Sequence, residues 1–200
     1  MHPKTFRSFA MAIITATISL SVATSQQAGK GHGAGAAPKE LMRAKAEIKG
    51  EGITGEATFV ETENAAGRKV EITVVLKGDP AKLEPGLHGV HLHENGTCEA
   101  PFASAGGHFD PGPSGNSDPD ANHPFHMGDA PNVQVNDKGE GTLRAVTTRV
   151  TLTDGPVSLF DANGSAVIIH KNPDQGITGA SKSGVSGGPR IACGVIQKTP

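Results

Sequence analysis

The chain has 200 residues, with 18 basic and 20 acidic side chains, nine histidines, two cysteines and neither Trp nor Tyr. Its net charge of −2 lacks the basic excess that nucleic-acid binding requires, so no nucleic-acid partner is expected. No internal repeat is present, and a chain of this length predicts one domain.

The first 25 residues read as a signal peptide. Lys4 and Arg7 form a short basic region, Phe9 to Val22 an uncharged apolar run, and Ala23, Thr24 and Ser25 a small-residue cleavage site. The run is shorter than the ~20 apolar residues that span a bilayer, and no cysteine follows it to carry a lipid. The expectation is an exported protein without a membrane anchor, periplasmic or extracellular. Without Lys4 and Arg7 the balance is 16 basic to 20 acidic residues, about −4. Residues 26–40 open with QQAGKGHGAGAAP and predict a flexible linker in which His32 is solvated.

Residues 41–200 are the expected folded domain. AKAEIKG, ITGEATFVET and RKVEITVVLKG carry a two-residue alternation rich in Val, Ile and Thr, which predicts three strands. Further strands are expected at 86–94, 131–136, 141–152, 165–170 and 190–196, with turns at Asn136–Gly139 and Asp161–Gly164. Eight short strands among many glycines and prolines predict an all-β antiparallel sandwich or barrel. Residues 97–130 and 172–189 fit no strand, and loops this long are usually functional.

His91 and His93 supply the first chemical signal. Alternate side chains leave a strand on the same face, so two imidazoles two residues apart can grip one ion. His88, His108, His123, His126 and His170 lie in the same part of the chain, and Asp129 follows His126 by three residues. Imidazole suits copper and zinc; four nitrogens in tetragonal geometry favour Cu(II), and three nitrogens with one carboxylate favour zinc. Export makes a Cys98–Cys193 disulfide possible, worth roughly 4–5 kcal/mol by loop closure. Two free thiols or two further metal ligands are the competing readings.

GLHGVHLHE, SAGGHFDP, HMGD, AVIIH and GGPRIACGVI together resemble copper/zinc superoxide dismutase of the exported bacterial type, over roughly residues 41–196. The resemblance implies an eight-stranded antiparallel Greek-key β-sandwich or barrel with two long functional loops. It implies copper on His91, His93, His108 and His170, with His108 shared with zinc and carrying a proton in turnover. It implies zinc on His126 and Asp129 as well, and a His88 that packs beside the site and bonds to backbone. Asp174 would link a copper histidine to a zinc histidine. Arg190, three residues before Cys193, would dock superoxide, and the Cys98–Cys193 bond would tether the loop beneath it. Lys182 and Lys171 are candidates for steering the anion.

One position departs from the family pattern. Where the middle zinc histidine is expected, this chain has Asn116. His123 is therefore taken as the displaced ligand; the alternative is a solvated His123 and a copper-only enzyme. The expected activity is dismutation of superoxide, and the competing function is an exported copper buffer on the same fold. Lacking Trp and Tyr as interface anchors, the chain is expected to be a monomer or weak homodimer. The sequons at Asn95 and Asn163 are read as incidental.

Overall fold

Alternating apolar positions build the first three strands. β1 (Lys39–Gly50), β2 (Ile53–Asn64) and β3 (Gly67–Gly78) bury every second side chain. Ala44, Ala46 and Ile48 point inward from β1, Ala57 and Phe59 from β2, and Val70, Ile72, Val74 and Leu76 from β3. This is the burial of a pleated strand with one face on a core and one in water. Two-residue turns join them, and Gly52 supplies the positive φ of 68° that the first turn needs. The computed structural model describes residues 37–112 and 115–200, so the expected signal peptide and most of the linker, His32 included, lie outside the described residues.

β4 (Gly86–His93), β5 (Asp129–Val135), β6 (Glu140–Thr147), β7 (Ala166–His170) and β8 (Arg190–Val195) complete the barrel. Every strand pair is antiparallel. The order runs β2, β3, β6, β5, β4, β7, β8, β1, and β1 pairs back to β2. The β3–β4 and β6–β7 connections each cross two intervening strands, which gives the Greek-key path expected from the sequence. Closure leaves no open edge among these eight strands. A ninth, short strand, β9 (Gln197–Thr199), continues along β1 and was not foreseen.

Other boundaries also moved. β1 takes in Lys39 and Glu40, which the sequence reading put in the linker. The sixth strand ends at Thr147 instead of residue 152. There the chain leaves the ladder because a buried carboxylate captures it: Glu61 Oε2 accepts the N–H groups of Leu152 at 2.9 Å and Thr153 at 2.7 Å. The only helical segment among the described residues is a 3-10 turn at Ala103–Ala105.

β4 and β7 are buried on both sides, unlike β1 to β3. Val90, Leu92, Val167 and Ile169 enter the main core. On the opposite face Ala166 and Ile168 pack with Ala105 and Cys193, while His91 pairs across from Ile168 and His93 from Ala166. The long loops cover this outer face, and there the histidines collect.

Glu61→Ala would leave two backbone N–H groups unpaired in the interior. A loss of about 2–4 kcal/mol is expected, seen as a lowered Tm of the metal-free protein, with the barrel's circular dichroism retained.

Candidate metal centre

Strand parity places three of the histidines. His91 and His93 leave β4 outward, and His170 ends β7 at a register shift that sets it opposite Arg190. The 97–130 loop brings the fourth, since His108 bridges His93 backbone to backbone and Phe109 N–H bonds Leu92 C=O at 2.8 Å. The chain then returns through Gly128, which bonds both Phe109 and Leu92. A Cβ at Gly128 would overlap the Leu92 carbonyl oxygen, so only glycine allows this approach, and Asp129 follows directly.

The result is two adjoining donor sets. One nitrogen each from His91, His93, His108 and His170 lie within 4.8 Å of one another, all buried. Atoms of His91, His108, His123 and Asp129 form a second set at the same spacing. His126 is not in that tight set, but its Nδ1 lies 3.1 Å from Asp129 Oδ2 and its ring 4.9 Å from that of His108.

Each ring is oriented by an acceptor on one nitrogen, which leaves the other free. His91 Nε2 donates to Asp174 Oδ2 at 3.1 Å, His93 Nδ1 to the Gly106 carbonyl at 3.1 Å, and His170 Nδ1 to the Gly188 carbonyl at 2.9 Å. His108 Nδ1 donates to Asp129 Oδ1 at 2.7 Å. The opposite nitrogens, His91 Nδ1, His93 Nε2, His108 Nε2 and His170 Nε2, are buried without a hydrogen-bond partner. Those four atoms face one another, as a metal's donors must.

Electrostatics separate the two sets. Burial holds His91, His93 and His170 below the usual histidine range, and lowers His108 to about 3. These rings are neutral, with lone pairs available. At His123 burial again opposes charge, but Asp129 and Asp174 outweigh it and raise the ring to about 9. His126 is raised against burial by Asp129. Asp129 is buried too, yet bonds from His108, His123 and His126 hold its carboxyl far below the ordinary range. In the metal-free chain, protons on imidazoles offset the buried carboxylates, a place that suits a cation.

A family model described as copper/zinc superoxide dismutase matches residues 53–196. The chain belongs to this family. Superoxide dismutase [Cu-Zn] of Deinococcus radiodurans is 39% identical over 156 residues, which cover 72% of this chain and 78% of the relative. Superoxide dismutase [Cu-Zn] 2 of Aquifex aeolicus is 38% identical over 163 residues, covering 78% and 87%. A crystal structure of the clock protein EA4 superposes with a TM-score of 0.61 at 30% identity, covering 79% of this chain and 95% of that one. A double mutant of a SOD-like protein from Bacillus subtilis gives 0.57 at 29%, covering 75% and 94%.

The superoxide dismutase resemblance named further residues, and their surroundings are now visible. Asp174 reaches His91 with one oxygen and His123 Nε2 with the other at 2.6 Å. His123 is fully buried, while Asn116 is an exposed loop residue whose side-chain oxygen accepts Asp118 N–H. His88 faces the carbonyls of His170 and Glu84 with its two nitrogens and joins neither donor set. Cys98 and Cys193 are disulfide-bonded. Arg190 donates to the Phe102 carbonyl and the Gly106 carbonyl, each at 2.6 Å. With His170 and Lys182 it lines a cavity of about 620 Å³. Lys171 is not among the lining residues and pairs with Glu84 at 3.7 Å.

Three contributors escaped the sequence reading. Asn132 bonds both the N–H and the C=O of Asp174, at 2.8 and 2.9 Å. Asp120 ties the two loops together. Arg149 donates to the carbonyls of Pro124, His126 and Asp129, bracing the segment that holds two of the expected ligands. A single Asn in a strand and a single Arg after one carry no motif.

Arg149→Ala removes that brace. In the metal-free protein, amide exchange across 123–130 is expected to speed up by about tenfold, equivalent to about 1.4 kcal/mol for lost charged donors, with exchange in β1 to β3 unchanged.

Proposed function

We propose that His91, His93, His108 and His170 hold copper, that His108, His123, His126 and Asp129 hold zinc, and that the chain dismutes superoxide to dioxygen and hydrogen peroxide there. The supporting observation is the convergence of four buried, unpartnered imidazole nitrogens beside an arginine-lined cavity. Copper, when bound, supplies the one-electron redox change that alternate oxidation and reduction of superoxide need, and zinc, which has no redox chemistry, supplies charge and rigidity.

The chain's own residues do the rest. Acceptors on the far nitrogens of His91, His93, His108 and His170 fix each of these rings in one tautomer before any ion arrives. Arg190 uses two of its five N–H donors on the Phe102 and Gly106 carbonyls, which leaves donors for a small anion. The Gly106 carbonyl also anchors His93, so the docking group and a ligand share one support. The disulfide from Cys98 holds the same loop to β8. Lys182 adds a second positive charge to the cavity wall, where it can draw in an anion. His108 Nε2 is the atom at which a proton can be held and passed to the reduced substrate, while Nδ1, which lies 2.7 Å from Asp129 Oδ1, would be given to zinc.

Asp174 belongs to the same proposal as the carboxylate that orients one ligand of each metal, with His88 as a backbone brace. An exported, unanchored monomer or weak homodimer is also proposed. The N-terminal pattern and the disulfide support export, since such bonds persist in oxidising compartments. No helix among the described residues is long and apolar enough to cross a membrane.

Metal analysis of the purified protein, with superoxide removal by the same sample, tests the reading. One copper and one zinc per chain with turnover is the expected result. Copper bound without turnover would replace the enzyme with the copper buffer. His123→Ala should lose zinc and retain copper; retention of both would return His123 to the loop. Arg190→Ile should lower kcat/KM at low salt by about tenfold or more, and unchanged turnover would remove Arg190 from docking.

A further inference from the structure

The two long loops meet at a second place besides Asp174. Asp120, in the 97–130 loop, is only 4% exposed, and the 172–189 loop fills its carboxylate. Oδ2 accepts the Gly184 N–H at 2.8 Å, and Oδ1 accepts the N–H and the hydroxyl of Ser186 at 3.1 and 2.9 Å. The Asp120 carbonyl accepts the Gly179 N–H at 2.8 Å. One residue thus holds both ends of the segment from Gly179 to Ser186.

Lys182 sits in the middle of that segment. Its φ of 64° is left-handed, a conformation that a non-glycine side chain keeps only where its surroundings impose it. Asp120, Ser181, Lys182, Gly184 and Ser186 all line the cavity that contains His170 and Arg190. A bare carboxylate there would repel an entering anion. Burial would also raise the Asp120 carboxyl, but the Gly184 and Ser186 donors outweigh it and keep the group ionised. Its charge is spent on structure.

We propose that Asp120 is a positioning residue: it pins the Gly179–Ser186 segment across the loops and so sets Lys182 on the wall of the cavity that Arg190 also lines. This rests on the reading that superoxide enters by this cavity. A role through charge alone has the opposite sign, because deleting a negative group from an anion's path speeds entry.

Asp120→Asn separates the two, since the amide keeps the size but turns an N–H group toward one of the donors. In the metal-loaded protein, kcat/KM for superoxide at low ionic strength should fall by about threefold or more and depend less on salt, approaching Lys182→Gln. Amide exchange across 179–187 should accelerate, while β4 and β7 stay protected. Ser186→Ala retains the charge and removes one donor, so it should show the same changes more weakly, and it serves if the first variant does not fold. A rate that rises or holds, or unchanged exchange across 179–187, would overturn the proposal. The exchange measurement needs no superoxide chemistry. An inactive parent protein would therefore overturn the reading of the cavity while exchange still judged the tie.

Discussion

Asp174 engages His91 through one oxygen and His123 through the other, and the two donor sets keep their spacing through this carboxylate. His91 is fixed by the barrel, because β4 is paired on both sides. His123 belongs to a loop without secondary structure of its own. The carboxylate passes the rigidity of the first to the second. It is itself clamped, since Asn132 of β5 bonds its backbone on both sides and Gly176 N–H bonds Oδ1. A flexible carboxylate would orient neither ring. Ordering it costs conformational entropy, which these backbone bonds offset.

The surrounding architecture reads as a series of such transfers from sheet to loop. Glu61 of β2 fixes the start of the β6–β7 connection, and Arg149, just before that point, braces the carbonyls around His126 and Asp129. Gly106 supports His93 and Arg190 together, and the Cys98–Cys193 bond ties their loop to β8. Asp120 joins the two loops over the cavity. None of these groups reacts. Each restricts where a reacting or binding group can lie, which is what a site built on loops requires of its scaffold.

The same arrangement carries a cost that only binding can offset. A buried polar atom without a partner costs about 1–3 kcal/mol, and ring nitrogens of His91, His93, His108, His126 and His170 are in that state. The closed barrel supplies the stability to tolerate it, because its core lies on the other side of β4 and β7. The division is physical. The inner face holds aliphatic side chains that gain by leaving water, and the outer face holds imidazoles, of which His91, His93, His108 and His170 are neutral with a lone pair free for an ion.

Much of this was legible in the chain. The alternation in β1 to β3 exposed the strands, because a half-buried strand must repeat every two residues. The His-x-His pair exposed the outer face of β4 for the same reason, and the family motifs extended it to His108, His170 and Arg190. His123 was reached by counting the imidazoles left once Asn116 failed. Strand ends were less legible: β6 stops early because Glu61, 91 residues before Leu152, captures the chain. Asn132, Arg149 and Asp120 were invisible for a related reason, since each acts mainly on backbone groups that any residue could supply. The sequence by itself determined the alternating strands, the side chains with metal-binding chemistry and their family. Only the tertiary structure decided which nitrogen of each histidine stays free and which carboxylate joins the loops, because those depend on acceptors brought close by folding and not by spacing along the chain.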